Sequence, residues 1–251
     1  MRIGYKLSSE EQTPSALVEQ AKLAEECGFS FALISDHYHP WTERQGQSPF
    51  VWSVIGALAH ATARLEVGTA VTCPSFRIHP AIIAQAAATS AAMMPGRFFL
   101  GVGTGENLNE HVVGGAWPET EVRQERLGEA IEIIRALLEG GNRSHRGRYF
   151  TVENARLYTR PPRPPRIMVA VGGAKSAELA GRLGDGMIGT DPDPAIGRQF
   201  ARAGGAGKPR YGELTVCWAE DESAARKTAH RRARSRGSCR YRATSRRWRR
   251  W

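Results

Sequence analysis

The chain has 251 residues with ordinary globular composition, 41% hydrophobic and 8% aromatic, which excludes a disordered or fibrous protein. Its formal charge of +10 would point to an anionic partner if it were spread evenly. It is not: ten arginines and no acid fall between Arg231 and Trp251, and without them the remaining 25 basic residues match the 25 acids, so residues 1 to 230 carry no net charge.

No window is apolar for the 18 or so residues of a membrane span, and no signal-like stretch precedes the first strand, so the expected compartment is the cytoplasm. Cys27, Cys73, Cys217 and Cys239 show no C-x-x-C spacing, which argues against a metal knuckle or redox pair. The first three are read as buried thiols.

Along the chain, short β-branched runs alternate with longer amphipathic ones. The predicted strands are Ile3–Tyr5, Phe31–Ser35, Leu65–Val71, Phe98–Val102, Ile167–Val171, Met187–Thr190 and Glu213–Cys217. The predicted helices are Pro14–Cys27, Val51–Ala63, Pro80–Met93, Glu121–Leu138, Lys175–Leu183, Ala195–Ala203 and Ser223–Arg231. Thr13-Pro14 and His79-Pro80 place proline in the first helical turn, where its missing N–H costs nothing, and Gly28 stops the first helix. Ile131, Ile134 and Leu138 recur at helical spacing. Residues 140–165, rich in Arg, Pro and Tyr, read as an insertion carrying a short strand at Tyr149–Val152.

Repeated strand-then-helix order implies right-handed βαβ units on a parallel sheet. Periodicity alone leaves an open doubly wound sheet and a closed barrel equally open. In both, function gathers where the strands end. Ser35-Asp36-His37-Tyr38-His39-Pro40-Trp41 packs an acid, two imidazoles and an indole after the second strand; Thr69 through Pro74 follows the third. Gly101-Val102-Gly103-Thr104-Gly105-Glu106 follows the fourth, and Val171-Gly172-Gly173-Ala174-Lys175 the fifth. Each has a plain reading: Asp36 as a turn cap, His37 as a structural imidazole, Trp41 as packing, Gly172-Gly173 as close strand-to-helix contact. The glycines of the fourth exit fit the dinucleotide fingerprint poorly. Their convergence on successive exits favours a functional site.

These stretches, with Gly4-Tyr5-Lys6, Gly68-Thr69 through Phe76-Arg77, Pro80 through Ala86, Asn109-Glu110, Gly115 through Glu119 and Gly181 through Gly186, resemble the bacterial luciferase-like superfamily. Within it they are similar to the branch of glucose-6-phosphate dehydrogenases that use the deazaflavin coenzyme F420. The resemblance covers residues 1 to about 190 in order, and less clearly to about 230. It implies a (β/α)8 TIM barrel of the luciferase-like type, incomplete at its C-terminal end with about seven βα units: a barrel domain over 1–230 with the 140–165 insertion, and an aberrant, disordered Arg-rich tail over 231–251. It further implies His37, Trp41 and Glu106 as catalytic residues. Cofactor contacts are implied at Asp36, Ala70, Val71, Cys73, Gly105, Asn109, Gly172, Gly173 and Thr190, with a cis Ala70–Val71 peptide behind the ring and the phosphate tail at the Gly172-Gly173 helix. No metal is expected. The partners expected are a small-molecule substrate and a second copy in a homodimer, with no specific nucleic acid and no membrane.

An alcohol carbon releases hydride readily only as its hydroxyl loses a proton, so a base within about 3 Å of that oxygen is required and an imidazole suits it. His37 takes that role, Glu106 supplies an acid, and Trp41 excludes water. The branch carries a lysine after the sixth strand for the sugar phosphate, whereas this chain has Thr190-Asp191-Pro192-Asp193-Pro194, which argues for a non-phosphorylated alcohol or aldehyde. Cys73 stands where the branch has threonine. The competing readings are an FMN-dependent monooxygenase of the same superfamily, a basic-tail anion or nucleic-acid binder, and an inactive barrel lacking its last unit. The abrupt change near Arg231 reads as out-of-frame translation of a GC-rich gene.

Overall fold

The computed structural model describes residues 1–190 and 193–235, the last five by backbone alone. In chain order the elements are β1 (Gly4–Leu7), α1 (Pro14–Glu26), β2 (Phe31–Ile34), α2 (Val51–Ala61), β3 (Glu66–Thr69), α3 (Pro80–Met93), β4 (Phe98–Val102) and α4 (Asn107–Glu110). They continue with α5 (Thr120–Glu139), β5 (Arg143–Arg146), β6 (Thr151–Ala155), β7 (Arg166–Val171), α6 (Ala174–Leu183), β8 (Gly186–Gly189), α7 (Pro194–Phe200), β9 (Arg210–Gly212) and α8 (Glu222–Ser235).

Seven strands form one parallel sheet in the order β1-β2-β3-β4-β7-β8-β9. Sequential neighbours pair in register, from Gly4↔Phe31 at one edge to Gly189↔Gly212 at the other. Among the described residues β1 and β9 do not pair with each other, so the parallel sheet is a (β/α)-barrel sheet that is open between its first and seventh strands. The insertion folds as an antiparallel hairpin of β5 and β6. Its second strand starts at Thr151, two residues later than expected, and β5 is an unforeseen partner.

The helices start where the local chemistry says they should. Thr13 Oγ1 accepts the Ala16 N–H at 3.2 Å ahead of Pro14, and His79 Nδ1 accepts that of Ala81 at 3.2 Å ahead of Pro80. On α5, Leu127, Ile131, Ile134 and Leu138 all turn inward. They join the larger core between sheet and helices, with Leu17, Ile55, Ile83 and Ile167. A second, smaller core of Leu33, Phe99, Met168 and Ile188 fills the barrel lumen. Burying one side chain of this size contributes roughly 1.5–3 kcal/mol.

Neighbouring strands approach closely enough at one point that glycine is required. A Cβ on Gly101 would stand 1.9 Å from the Thr69 carbonyl oxygen. The bottom is closed by ions: Glu66 accepts Arg2 at 2.8 Å and also pairs with Arg166.

Three expectations are corrected. Glu213–Cys217 is not a strand; β9 is Arg210–Gly212, and its ladder ends with the Glu213 N–H on the Gly189 carbonyl at 3.0 Å, where β8 itself ends. Beyond that point no strand among the described residues offers backbone partners, and Leu214, Val216 and Trp218 are 56%, 76% and 83% exposed. Of the three described cysteines only Cys73 is buried; Cys27 is exposed after α1 and Cys217 is half-buried. The helix expected to stop at Arg231 runs to Ser235. Residues 236–251, with Cys239 and most of the expected tail, lie outside the described residues.

Candidate active site

The C-terminal strand ends and the loops after them build the site. His37 and Trp41 lie on the loop after β2, their rings edge to face with centroids 5.0 Å apart. Trp41 is 45% exposed and forms one wall of the mouth. The His37 side chain is mostly covered, and its Nδ1 lies 2.8 Å from Glu10 Oε1, within ion-pair distance though poorly aligned for a linear hydrogen bond.

Glu10 follows β1 and is buried. Its Oε2 accepts the hydroxyls of Ser8 at 3.1 Å and Ser35 at 3.0 Å. Burial by itself pushes this carboxyl up. The close contact and charge of His37, the residue's own backbone N–H and the Ser35 hydroxyl outweigh burial and bring it to about 2. Sequence reasoning missed Glu10. Its signal was present, since Ser8-Ser9-Glu10 is a polar exit like the others, but from the first strand.

Glu106 leads α4 at the exit of β4 and is solvent-facing at the mouth. Partial desolvation pushes its carboxyl up, and the nearby charge of His37 pulls the other way without cancelling it. Gly105, just before it, has φ +74°, and a Cβ there would meet Cys73 Sγ at 2.6 Å. Only glycine makes this turn. The three predicted catalytic residues therefore converge on one mouth.

The predicted cofactor contacts divide into two groups. Asp36, Cys73 and Asn109 are buried. Asp36 accepts Thr72 Oγ1 at 2.8 Å and pairs with Arg77 at 2.8 Å, while Arg77 donates its backbone N–H to Glu110 Oε2 at 2.9 Å. Burial and the charge of Glu110 push the Cys73 thiol up, so it stays protonated. Asn109 Oδ1 accepts the backbone N–H groups of Tyr38 at 2.9 Å and His39 at 3.0 Å, latching the loop that carries His37 and Trp41. These side chains hold the walls together.

Ala70, Val71, Gly172, Gly173 and Thr190 line the surface of the strand ends. The Ala70–Val71 peptide is cis, as the resemblance implies. Val71 packs so closely on Gly103 that a Cβ there would meet its Cγ2 at 2.7 Å. At the start of α6, a Cβ on Gly172 or Gly173 would meet nothing within 4 Å, so the backbone faces open space. Both N–H groups donate to Ser176 Oγ at 3.1 Å. Thr190 is exposed one residue beyond the Val171↔Gly189 pair. Asp191 lies outside the described residues; Asp193 caps α7, its Oδ1 accepting the Ala195 N–H at 2.7 Å.

The parallel barrel sheet, with an acid-backed imidazole, an indole and a second acid at its strand ends, has the architecture of the (β/α)8 class. The luciferase-like monooxygenase family model matches residues 1–250, and the chain belongs to that family. It is 46% identical over 191 residues to an F420-dependent glucose-6-phosphate dehydrogenase from Kribbella flavida, covering 76% of this chain and 57% of that protein. It is 40% identical over 233 residues to an F420-dependent hydroxymycolic acid dehydrogenase from Mycobacterium tuberculosis, covering 89% of this chain and 65% of that one. The chain thus spans less than two thirds of these curated relatives. Among solved structures it matches an F420-dependent secondary alcohol dehydrogenase in complex with an F420-acetone adduct, with TM-score 0.86 and 34% identity, over 90% of this chain and 72% of that one.

Proposed function

We propose that this chain is a coenzyme F420-dependent oxidoreductase that moves hydride between a non-phosphorylated alcohol or aldehyde and the deazaflavin. The observation that carries the reading is the Glu10–His37 pair set against Trp41 and Glu106 at one mouth. The residues fit the cofactor: Val71 packs closely over Gly103 at the strand ends, and open space fronts the α6 N-terminus, where backbone dipoles favour an anionic tail. F420 is preferred to FMN because the similar relatives named above are F420 enzymes.

When bound, the deazaflavin supplies a carbon that accepts hydride. With Nδ1 turned to Glu10, His37 presents Nε2 to the mouth, where it takes the substrate hydroxyl proton. The Glu10 carboxylate fixes the ring and stabilises the imidazolium that forms. Trp41 shields the reacting groups from water on its side. Glu106, its carboxyl pushed up by partial desolvation, keeps a proton longer than an ordinary glutamate and supplies the acid.

The substrate class rests on the sequence of the Thr190–Pro194 run, which has no lysine and carries Asp193 four residues after the end of β8. A carboxylate there repels a phosphate. The test follows loss of oxidised F420 absorbance with a panel of secondary alcohols and glucose 6-phosphate. Turnover is expected with alcohols, and His37→Ala lowers kcat by about 10²–10⁴. Turnover with glucose 6-phosphate as the preferred donor overturns the substrate class, and no binding of F420 overturns the cofactor.

A further inference from the structure

Among the described residues, the catalytic roles above leave a charged contact of Lys6 inside the barrel unused. Lys6 lies on β1 with its side chain in the lumen. Its neighbours Tyr5 and Leu7 pack outward against the helices, whereas Gly4, on the same face as Lys6, has the Phe31 ring where a Cβ would stand. The surroundings are apolar: Leu33 is its register partner, and Phe99, Met168 and Ile188 complete that core. An ammonium in such a place carries a desolvation cost that an apolar side chain would avoid.

Its partners indicate what it does. Nζ crosses over β2 to donate to the Ala70 carbonyl oxygen at 3.0 Å. It also lies 3.6 Å from Glu213 Oε2, just past the end of β9, with both side chains about one third exposed at 29% and 31%. Lys6 thus ties the first strand, the Ala70–Val71 floor and the last strand together, and it holds the Ala70 carbonyl toward the lumen.

Resting on the F420 reading, we infer that Lys6 is a positioning residue that also sets the preference of the site for the reduced cofactor over the oxidised one. Hydride transfer oxidises the donor carbon: its C–H electron pair passes to the ring, and the hydroxyl proton goes to His37. The hydrogen and its electron pair together would add one negative charge to the ring, present until the Glu106 acid neutralises it. A fixed ammonium under the floor favours the charged ring over the neutral one, and the Glu213 carboxylate beside it tempers the effect.

The test measures Kd for oxidised and reduced F420 separately, by cofactor fluorescence and tryptophan quenching under anaerobic conditions. Wild type, Lys6→Met, Lys6→Arg and Glu213→Gln are compared. Lys6→Met is expected to weaken the reduced form about fivefold more than the oxidised form, the scale of one partly screened charge. Lys6→Arg keeps the wild-type ratio, and Glu213→Gln moves it the opposite way, toward the reduced form. Equal losses for both forms in Lys6→Met, or none, overturn the inference while leaving the F420 reading intact. If Lys6→Met does not fold, an unchanged ratio in Glu213→Gln overturns it equally. A wild-type chain that binds neither form refutes the F420 reading and this inference together.

Discussion

Glu10 offers the sharpest quantitative test. Its carboxyl, buried behind His37, is held at about 2 against an ordinary 4.5. A depression of that size contributes about 3 kcal/mol to folding at neutral pH. Because the folded value lies below the unfolded one, the contribution is complete above about pH 4.5 and is lost as the pH falls toward 2. Glu10→Gln keeps the shape and the Ser8 and Ser35 contacts but removes the charge. In urea titrations the variant is expected to be about 3 kcal/mol less stable than wild type at pH 6, with the gap closing to about 2 kcal/mol at pH 3.5. In a thermal scan at pH 6 the same loss lowers Tm by about 6–12 °C for a chain of this size. An equal gap at both pH values would refute the reasoning, showing that Glu10 acts through packing and neutral hydrogen bonds.

Arg77→Met should leave Asp36 and Glu110 buried without their cation and cost about 3–5 kcal/mol in a denaturant titration; a loss under about 1 kcal/mol would mean that the acids are neutral in the folded chain. Gly101→Ala, whose Cβ would meet the Thr69 carbonyl oxygen at 1.9 Å, should abolish cooperative unfolding, whereas Gly56→Ala on α2, with open space around it, should stabilise by about 0.5–1 kcal/mol. Asn109→Ala removes the acceptor shared by the Tyr38 and His39 N–H groups and should cost about 1–3 kcal/mol. Hydrogen exchange at those two amides should quicken first, and unchanged protection there would contradict the latch.

Local pattern carried a large part of this molecule. Six of the seven strands of the sheet, the caps at Thr13 and His79 and the inward stripe of α5 follow from periodicity and from the conformational limits of proline and glycine, which act over a few residues. The mouth was also legible, because His37, Trp41 and Glu106 sit on polar exits that break an apolar rhythm. What tertiary structure alone decided depends on contacts between distant exits. Glu10 meets His37 across 27 positions of sequence, and Asp36, Arg77 and Glu110 come from three separate strand exits to form one buried ionic cluster. Nothing in the composition of either segment announces such a meeting; it follows from parallel register, which brings every strand end to the same rim. The error at Glu213–Cys217 has the same origin. Alternating apolar residues make a strand only when a neighbour supplies backbone donors and acceptors, and β8 ends at Gly189, opposite Gly212, before the expected strand begins.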